Sequence, residues 1–205
     1  MKLGWNRVEF VSRAGLKLAH ALAAFAVDPT GLECADFGCN AGGFTDCLLK
    51  SGAAKVIAID TGYGMLDWKL RNDPRVDVRE RTNVLHVAAP TAGVDLVVLD
   101  MAWTRQRHSI PVALRWLRPA GQIIALIKPH YESQGDERKA LVKGCLPDEV
   151  ARVVIRRVLD AMGELGVRVV ADCPSPLEGA GGNTEHLAHL VVLNQAISTG
   201  KTPQS

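Results

Sequence analysis

A chain of 205 residues with 47% hydrophobic content can bury one sizeable core and hardly two, so a single globular unit is expected. Its 24 Lys plus Arg stand against 22 Asp plus Glu, and a net charge of +2 excludes capture of a polyanion by bulk charge; such a partner would need a local basic patch. Five cysteines (Cys34, Cys39, Cys47, Cys145, Cys173) are an odd number without a CxxC pair, and the opening "MKLGWNRVEF" has charges where a leader would be apolar, which together with the lack of a membrane-length apolar run points to a soluble, cytoplasmic protein with reduced thiols and no metal.

In chain order, Ser12 is a candidate N-cap for a helix through "RAGLKLAHALAAF", whose Ala14, Leu18, Ala21, Leu22 and Phe25 form one apolar stripe while Arg13, Lys17 and His20 share the neighbouring polar face. Short apolar runs then recur with helical patterns between them. These are residues 33 to 38, 54 to 60, 75 to 80, 94 to 100, 122 to 128, 167 to 173 and 186 to 193. That alternation predicts a Rossmann-like α/β fold with helices on both faces of a mostly parallel seven-stranded sheet. The link before the last run lacks a helix-sized segment, so the last strand should run antiparallel and bring Glu185 back to the edge where the parallel strands end. The clearest helix spans 147 to 166, with Pro147 at its start, Asp148 and Glu149 at its positive end, and Gly166 past its close. The polar connection from 130 to 147 is long enough to suggest a function. One domain over 1–195 and a frayed tail over 196–205 complete the expectation.

"CADFGCNAGGF" follows the first strand, where an open α/β sheet binds ligands. Gly38, Gly42 and Gly43 allow close approach of backbone and positive φ, and the helix beginning near Gly43 aims free N–H groups at a ligand. The dinucleotide fingerprint G-x-G-x-x-G fails at Asn40, and no Gly-Lys-Ser/Thr follows for a phosphate loop. A ligand with adenosine but no phosphates remains, and S-adenosylmethionine fits. Asp60 ends the second strand where an acidic residue takes ribose hydroxyls; a solvated loop aspartate is the competing reading. Asp100 and Lys128 close the fourth and fifth strands at the same edge, and with Glu185 and Lys17 they form a candidate active site of two lysines and two carboxylates.

These residues sit in blocks that resemble the catalytic domain of the TlyA (hemolysin A-like) branch of the FtsJ-type RNA ribose methyltransferases: "FVSRAGLKLAHAL", "GCNAGGFTDCLL", "AIDTGYG", "WKLRNDPRV", "ERTN", "LVVLD", "LIKP" and "PSPLEGAGGNTEHLAHL". The resemblance runs from about Phe10 to Leu190. It implies S-adenosylmethionine as donor, a 2′-hydroxyl of RNA as acceptor with ribosomal RNA or a ribosomal subunit as partner, and a tetrad of Lys17, Asp100, Lys128 and Glu185. For the cofactor it implies Gly42, Phe44, Asp60, Asn83 and Asp100, with Asn83 near the adenine.

Two features depart from that pattern. The family usually carries a small RNA-binding domain before the "SRGGLKL" block, and here about a dozen residues precede it, so a separate RNA-binding partner or a homodimer could supply target selection. After Asp100 the family reads Val-Ser-Phe, whereas this chain has "MAWTRQRH".

Within this reading Lys128 is the base, and Asp100 and Glu185 orient the two amines. Arg13 and Tyr131 are candidate RNA contacts, beside His20, Arg138, Lys139 and Lys143, although Glu132, Asp136 and Glu137 make the polar connection mixed in charge. The alternatives are a small-molecule methyltransferase on the same sheet, a non-catalytic RNA- or cofactor-binding module, and a membrane-active hemolysin.

Overall fold

A computed structural model of the protein describes residues 10–193; the tail read over 196–205 lies outside the described residues. The elements run α1 (Ala14–Phe25), β1 (Glu33–Phe37), α2 (Gly43–Lys50), β2 (Lys55–Ile59), α3 (Trp68–Arg71), β3 (Val76–Arg79), β4 (Val94–Leu99), α4 (Gln106–Trp116) and β5 (Leu117–Ile127). Two short helices, α5 (Pro129–Glu132) and α6 (Gly135–Lys139), occupy the polar connection; α7 (Asp148–Asp160), β6 (Val167–Pro174) and β7 (His186–Val192) follow.

One seven-stranded sheet has the order β3-β2-β1-β4-β5-β7-β6. Strands β1 to β5 pair in parallel, and β7 is antiparallel to both β5 and β6, as the missing crossover helix predicted. The order in which successive strands are laid down reverses between β1 and β4, which leaves a crevice beyond their carboxyl ends.

Period-2 alternation assigns each strand's side chains to two cores. Cys34, Val56, Leu96, Val98, Ile124 and Leu126 pack with Leu18, Leu22, Phe44 and Leu48 of α1 and α2. Ala35, Phe37, Val97, Leu99, Ile123 and Ile127 pack with Ile110 and Trp116 of α4 and Val154 and Val158 of α7. Both faces are therefore covered, which explains why the central strands read as continuous apolar runs rather than alternating ones. Leu18 is fully buried, and burial of such a side chain contributes roughly 1.5–3 kcal/mol.

Two expectations need correction. Ser12 is not the N-cap of α1: Arg13 holds that position in helical geometry without a side-chain cap, and the Ser12 hydroxyl instead lies where a side chain on Gly43 would be. Lys17 does not share a solvated face with the exposed Arg13 and His20, because it is buried at 6% exposure beneath the sheet's rim. None of the five cysteines forms a disulfide among the described residues, and Cys34, Cys39 and Cys47 are buried. Burial pushes the Cys34 thiol up to about 12 and raises Cys39 also, so neither is poised as a thiolate. Among the described residues no helix is long and apolar enough to cross a membrane.

Candidate active site

The crevice is shaped first by backbone. Gly38 leaves β1 at φ 87°, and a Cβ there would meet the Asp100 carbonyl oxygen at 2.8 Å, so only glycine lets the ends of β1 and β4 lie this close. The amides of Gly38 and Cys39 both donate to the Ile59 carbonyl, at 2.9 and 3.1 Å. Asp60, the next residue, accepts from Asn40 N at 2.9 Å through one oxygen and from Gly62 N at 2.7 Å through the other. Its carboxylate is thereby fixed against the glycine loop, with further lone pairs left to accept from a ligand. Glu80 braces the adjoining turn: it accepts from Met65 N, Leu66 N and Arg71, and backbone and guanidinium donors hold its carboxyl down to about 2.

A cavity of about 450 Å³ opens there, lined by Gly38, Asp60, Asn83, Asp100, Trp103 and Lys128 among others. A second of about 250 Å³ is lined by Arg13, Lys17, Gly38, Phe44 and Asp100 among others. Gly38 and Asp100 belong to both, so the two spaces meet at the end of β4. Asn83 is exposed at the first cavity and spends its carbonyl oxygen on Leu85 N at 3.0 Å, which leaves its amide hydrogens to donate.

Gly42 and Gly43 line neither cavity. A Cβ on Gly42 would collide with Leu66 and Leu70, and one on Gly43 with Ser12, Ala14 and the Gly15 amide. They serve as close-packing points beneath the loop. Phe44 is buried and borders the smaller cavity beside Lys17 rather than the larger one.

The four charged residues form two ion pairs at this rim. Lys128 Nζ lies 2.6 Å from Asp100 Oδ1, with both side chains largely shielded. Lys17 Nζ donates to Glu185 Oε2, and this pair is buried deeper still. Register explains the meeting: Ile127 pairs with His186, so the residue before β7 lies beside the residue after β5. Gly179 leaves the room that the Glu185 carboxylate fills.

Sequence reasoning missed Asp36. It lies on the α1/α2 side of β1, fully buried, and its Oδ2 accepts from Thr45 Oγ1 at 2.7 Å while Oδ1 has no partner among the described residues. Burial above all pushes its carboxyl up to about 7. Alternation was the available signal, since Asp36 is two residues from Cys34 and shares its face.

The segment after Asp100 and the turn after Lys128 are joined. Arg105 donates to the Tyr131 and Ser133 carbonyls at 3.3 and 3.0 Å, and the buried Glu132 carboxylate accepts from Gln106 N, at the start of α4, at 2.7 Å. Tyr131 stands outside both cavities already described, with its ring 4.8 Å from that of Trp103.

Known proteins are similar to this chain in sequence and fold. A 16S/23S rRNA (cytidine-2′-O)-methyltransferase, TlyA of Mycobacterium tuberculosis, is 40% identical over 185 residues, covering 88% of this chain and 68% of that protein. Hemolysin A of Brachyspira hyodysenteriae is 34% identical over 192 residues, covering 91% and 79%. A solved hemolysin-named protein of Streptococcus thermophilus superposes with a TM-score of 0.86 at 33% identity, covering 94% of this chain and 70% of its own. The profile of FtsJ-like methyltransferases matches residues 10–191, and with the sheet order and the crevice this places the chain in the FtsJ-like methyltransferase family.

Proposed function

We propose that this protein transfers the methyl group of S-adenosylmethionine to a ribose 2′-hydroxyl of RNA, with ribosomal RNA as the acceptor and the cytoplasm as its place of work. The observation that carries the reading is the double ion pair, Lys128 with Asp100 and Lys17 with Glu185, set at the junction of two cavities. The TlyA relative, which carries an rRNA 2′-O-methyltransferase name, supports the same acceptor.

The larger cavity suits the donor. Asp60 is held with lone pairs free for ribose hydroxyls, Asn83 presents amide hydrogens for an adenine acceptor, and the absence of a side chain at Gly38 leaves space beside Asp100. When bound, the donor supplies an electrophilic methyl group on a sulfonium. The chain's own residues must align the hydroxyl with it and accept its proton. Alignment alone accounts for about 7–11 kcal/mol in well-oriented reactions, and general-base help adds about 10²–10⁴-fold.

Lys128 takes the hydroxyl proton. Its amine must be neutral to do so, and Asp100 at 2.6 Å then stabilises the ammonium that forms. Lys17, fixed by Glu185, donates to the ribose from the side of the smaller cavity, with the exposed Arg13 at its mouth meeting a phosphate.

Transfer of radiolabelled methyl to total RNA and to ribosomal subunits tests this. Label recovered as a 2′-O-methyl nucleoside is expected with the wild type and at least about a hundredfold less with Lys128→Ala, while donor affinity stays within about threefold. Lys128→Ala with near wild-type turnover would remove the base assignment; label appearing only in small molecules would remove RNA as acceptor.

A further inference from the structure

A third cavity, of about 330 Å³, adjoins the site and has no part in the roles above. Trp103, Arg105, His130, Tyr131, Arg138 and Leu141 are among its walls, and no acidic residue is. Trp103 lines the donor cavity as well, so its indole is a shared partition.

That indole is 83% exposed and stands on a backbone at φ 60°, which bulky residues seldom adopt. Core packing does not explain it. Its ring contact is with Tyr131, which in turn lies 4.0 Å, centroid to centroid, from His130. Three rings thus stand in a row beside Lys128. The Arg105 and Glu132 hydrogen bonds tie together the two segments that carry them, so the rings are brought side by side before any ligand arrives. His130 Nδ1 is buried without a partner, and the exposed Arg138 guanidinium makes no hydrogen bond or ion pair with the described residues.

We propose that this cavity is a subsite for the nucleotide next to the target ribose, its base stacked on the Trp103–Tyr131 rings and its phosphate met by Arg138. The proposal rests on RNA being the acceptor. Stacking faces joined to cations and free of carboxylates suit a single-stranded nucleic acid, because every base has a π-face and every step a phosphate. A base stacked between its neighbours inside a duplex offers neither face. The neighbouring nucleotide must therefore be unpaired, which restricts acceptors to loops, bulges or opened helices.

The probe is an oligocytidylate RNA decamer with one 2-aminopurine, whose fluorescence is quenched on stacking, alongside methyl transfer to ribosomal subunits. Tyr131→Ala and Arg138→Ala should each weaken decamer binding and lower kcat/KM for RNA by about five- to a hundredfold, and Tyr131→Phe should restore stacking. Neither residue lines the donor cavity, so the Kd for S-adenosylmethionine should not move. Quenching retained in Tyr131→Ala, no binding by the wild type, or equal binding of the decamer in a duplex would each overturn the subsite. A wild type that quenches through Tyr131 yet methylates no RNA would keep the subsite and remove the acceptor reading. Equal methylation of RNA by wild type and variants would do the reverse.

Discussion

Burial biases Asp36 toward its protonated form, because the fully buried carboxyl has one hydroxyl donor and one oxygen without a partner among the described residues. Its carboxyl is raised from 3.8 to about 7, so the folded chain binds a proton that the unfolded chain has released. The sign follows: stability from this group is full below about pH 4, falls as pH rises through the interval, and is gone above about pH 7, a loss on the order of 4 kcal/mol. Asp36→Asn should unfold at a higher urea concentration than wild type at pH 8 and show a shallower decline between pH 5 and 8; identical slopes would refute the assignment. The strand-end residues Asp60, Asp100 and Lys128 were legible because strand period and parallel order place them at one edge. Asp36 was hidden inside a glycine-loop motif, and the left-handed backbone at Trp103 has no local signature in a non-glycine residue.

At the level of elements, α1 and α2 start against each other with almost no side chain between them. Gly43 faces Ser12, Ala14 and Gly15, and Gly15 in turn faces Phe10. Gly43→Ala should cost roughly 1–3 kcal/mol by overpacking and, because α1 carries Lys17, should lower methyl transfer in protein that remains folded, as urea titration and a transfer assay would show. A variant as stable and as active as wild type would mean the helices can separate freely. The seven strands and the long helices α1 and α7 were readable, the short α5 and α6 inside the polar connection were not, and boundaries moved for physical reasons. The helix expected over 147 to 166 is α-helical only to Asp160, then tightens into a 3₁₀ turn over Ala161–Leu165 that Gly166 closes at φ 85°. Strand β5 begins at Leu117 rather than 122 despite Pro119 and Gly121, which locally read as breakers. They still interrupt the ladder, because the register with β4 shifts between the Val94–Leu117 and Leu96–Gln122 pairs and Ala120 stands at φ 67°; Arg118 anchors this bulged stretch by pairing with Asp95 at 2.8 Å and Glu33 at 2.7 Å, contacts between strands that no local window contains.

At the scale of the whole molecule, one buried pair joins α1 to the residue that precedes β7. Lys17 and Glu185 are 168 residues apart in sequence, and their side chains are 7% and 3% exposed. Removing either partner leaves a buried charge without its counter-ion, so Lys17→Ala or Glu185→Ala should lose about 3–5 kcal/mol, whereas Lys17→Met with Glu185→Leu should melt near wild type and still transfer no methyl group. A double variant that melts as low as the single ones would show that packing, not charge, holds the junction. The topology was legible because a link too short for a helix forces an antiparallel return; that Lys17 would be buried was not, since a helix's polar face looks solvated until another element covers it. Strand β7 takes an interior place between β5 and β6, although it is the last in sequence of the described strands. A nascent chain complete through Lys128 already encodes the donor crevice, but its Lys17 has no carboxylate waiting for it. Translation thus delivers the parts in a fixed order, the glycine-loop crevice with the Lys128–Asp100 pair first and the Lys17–Glu185 pair last, so a chain ended before Glu185 would carry the proposed donor-binding residues with a buried Lys17 unpaired.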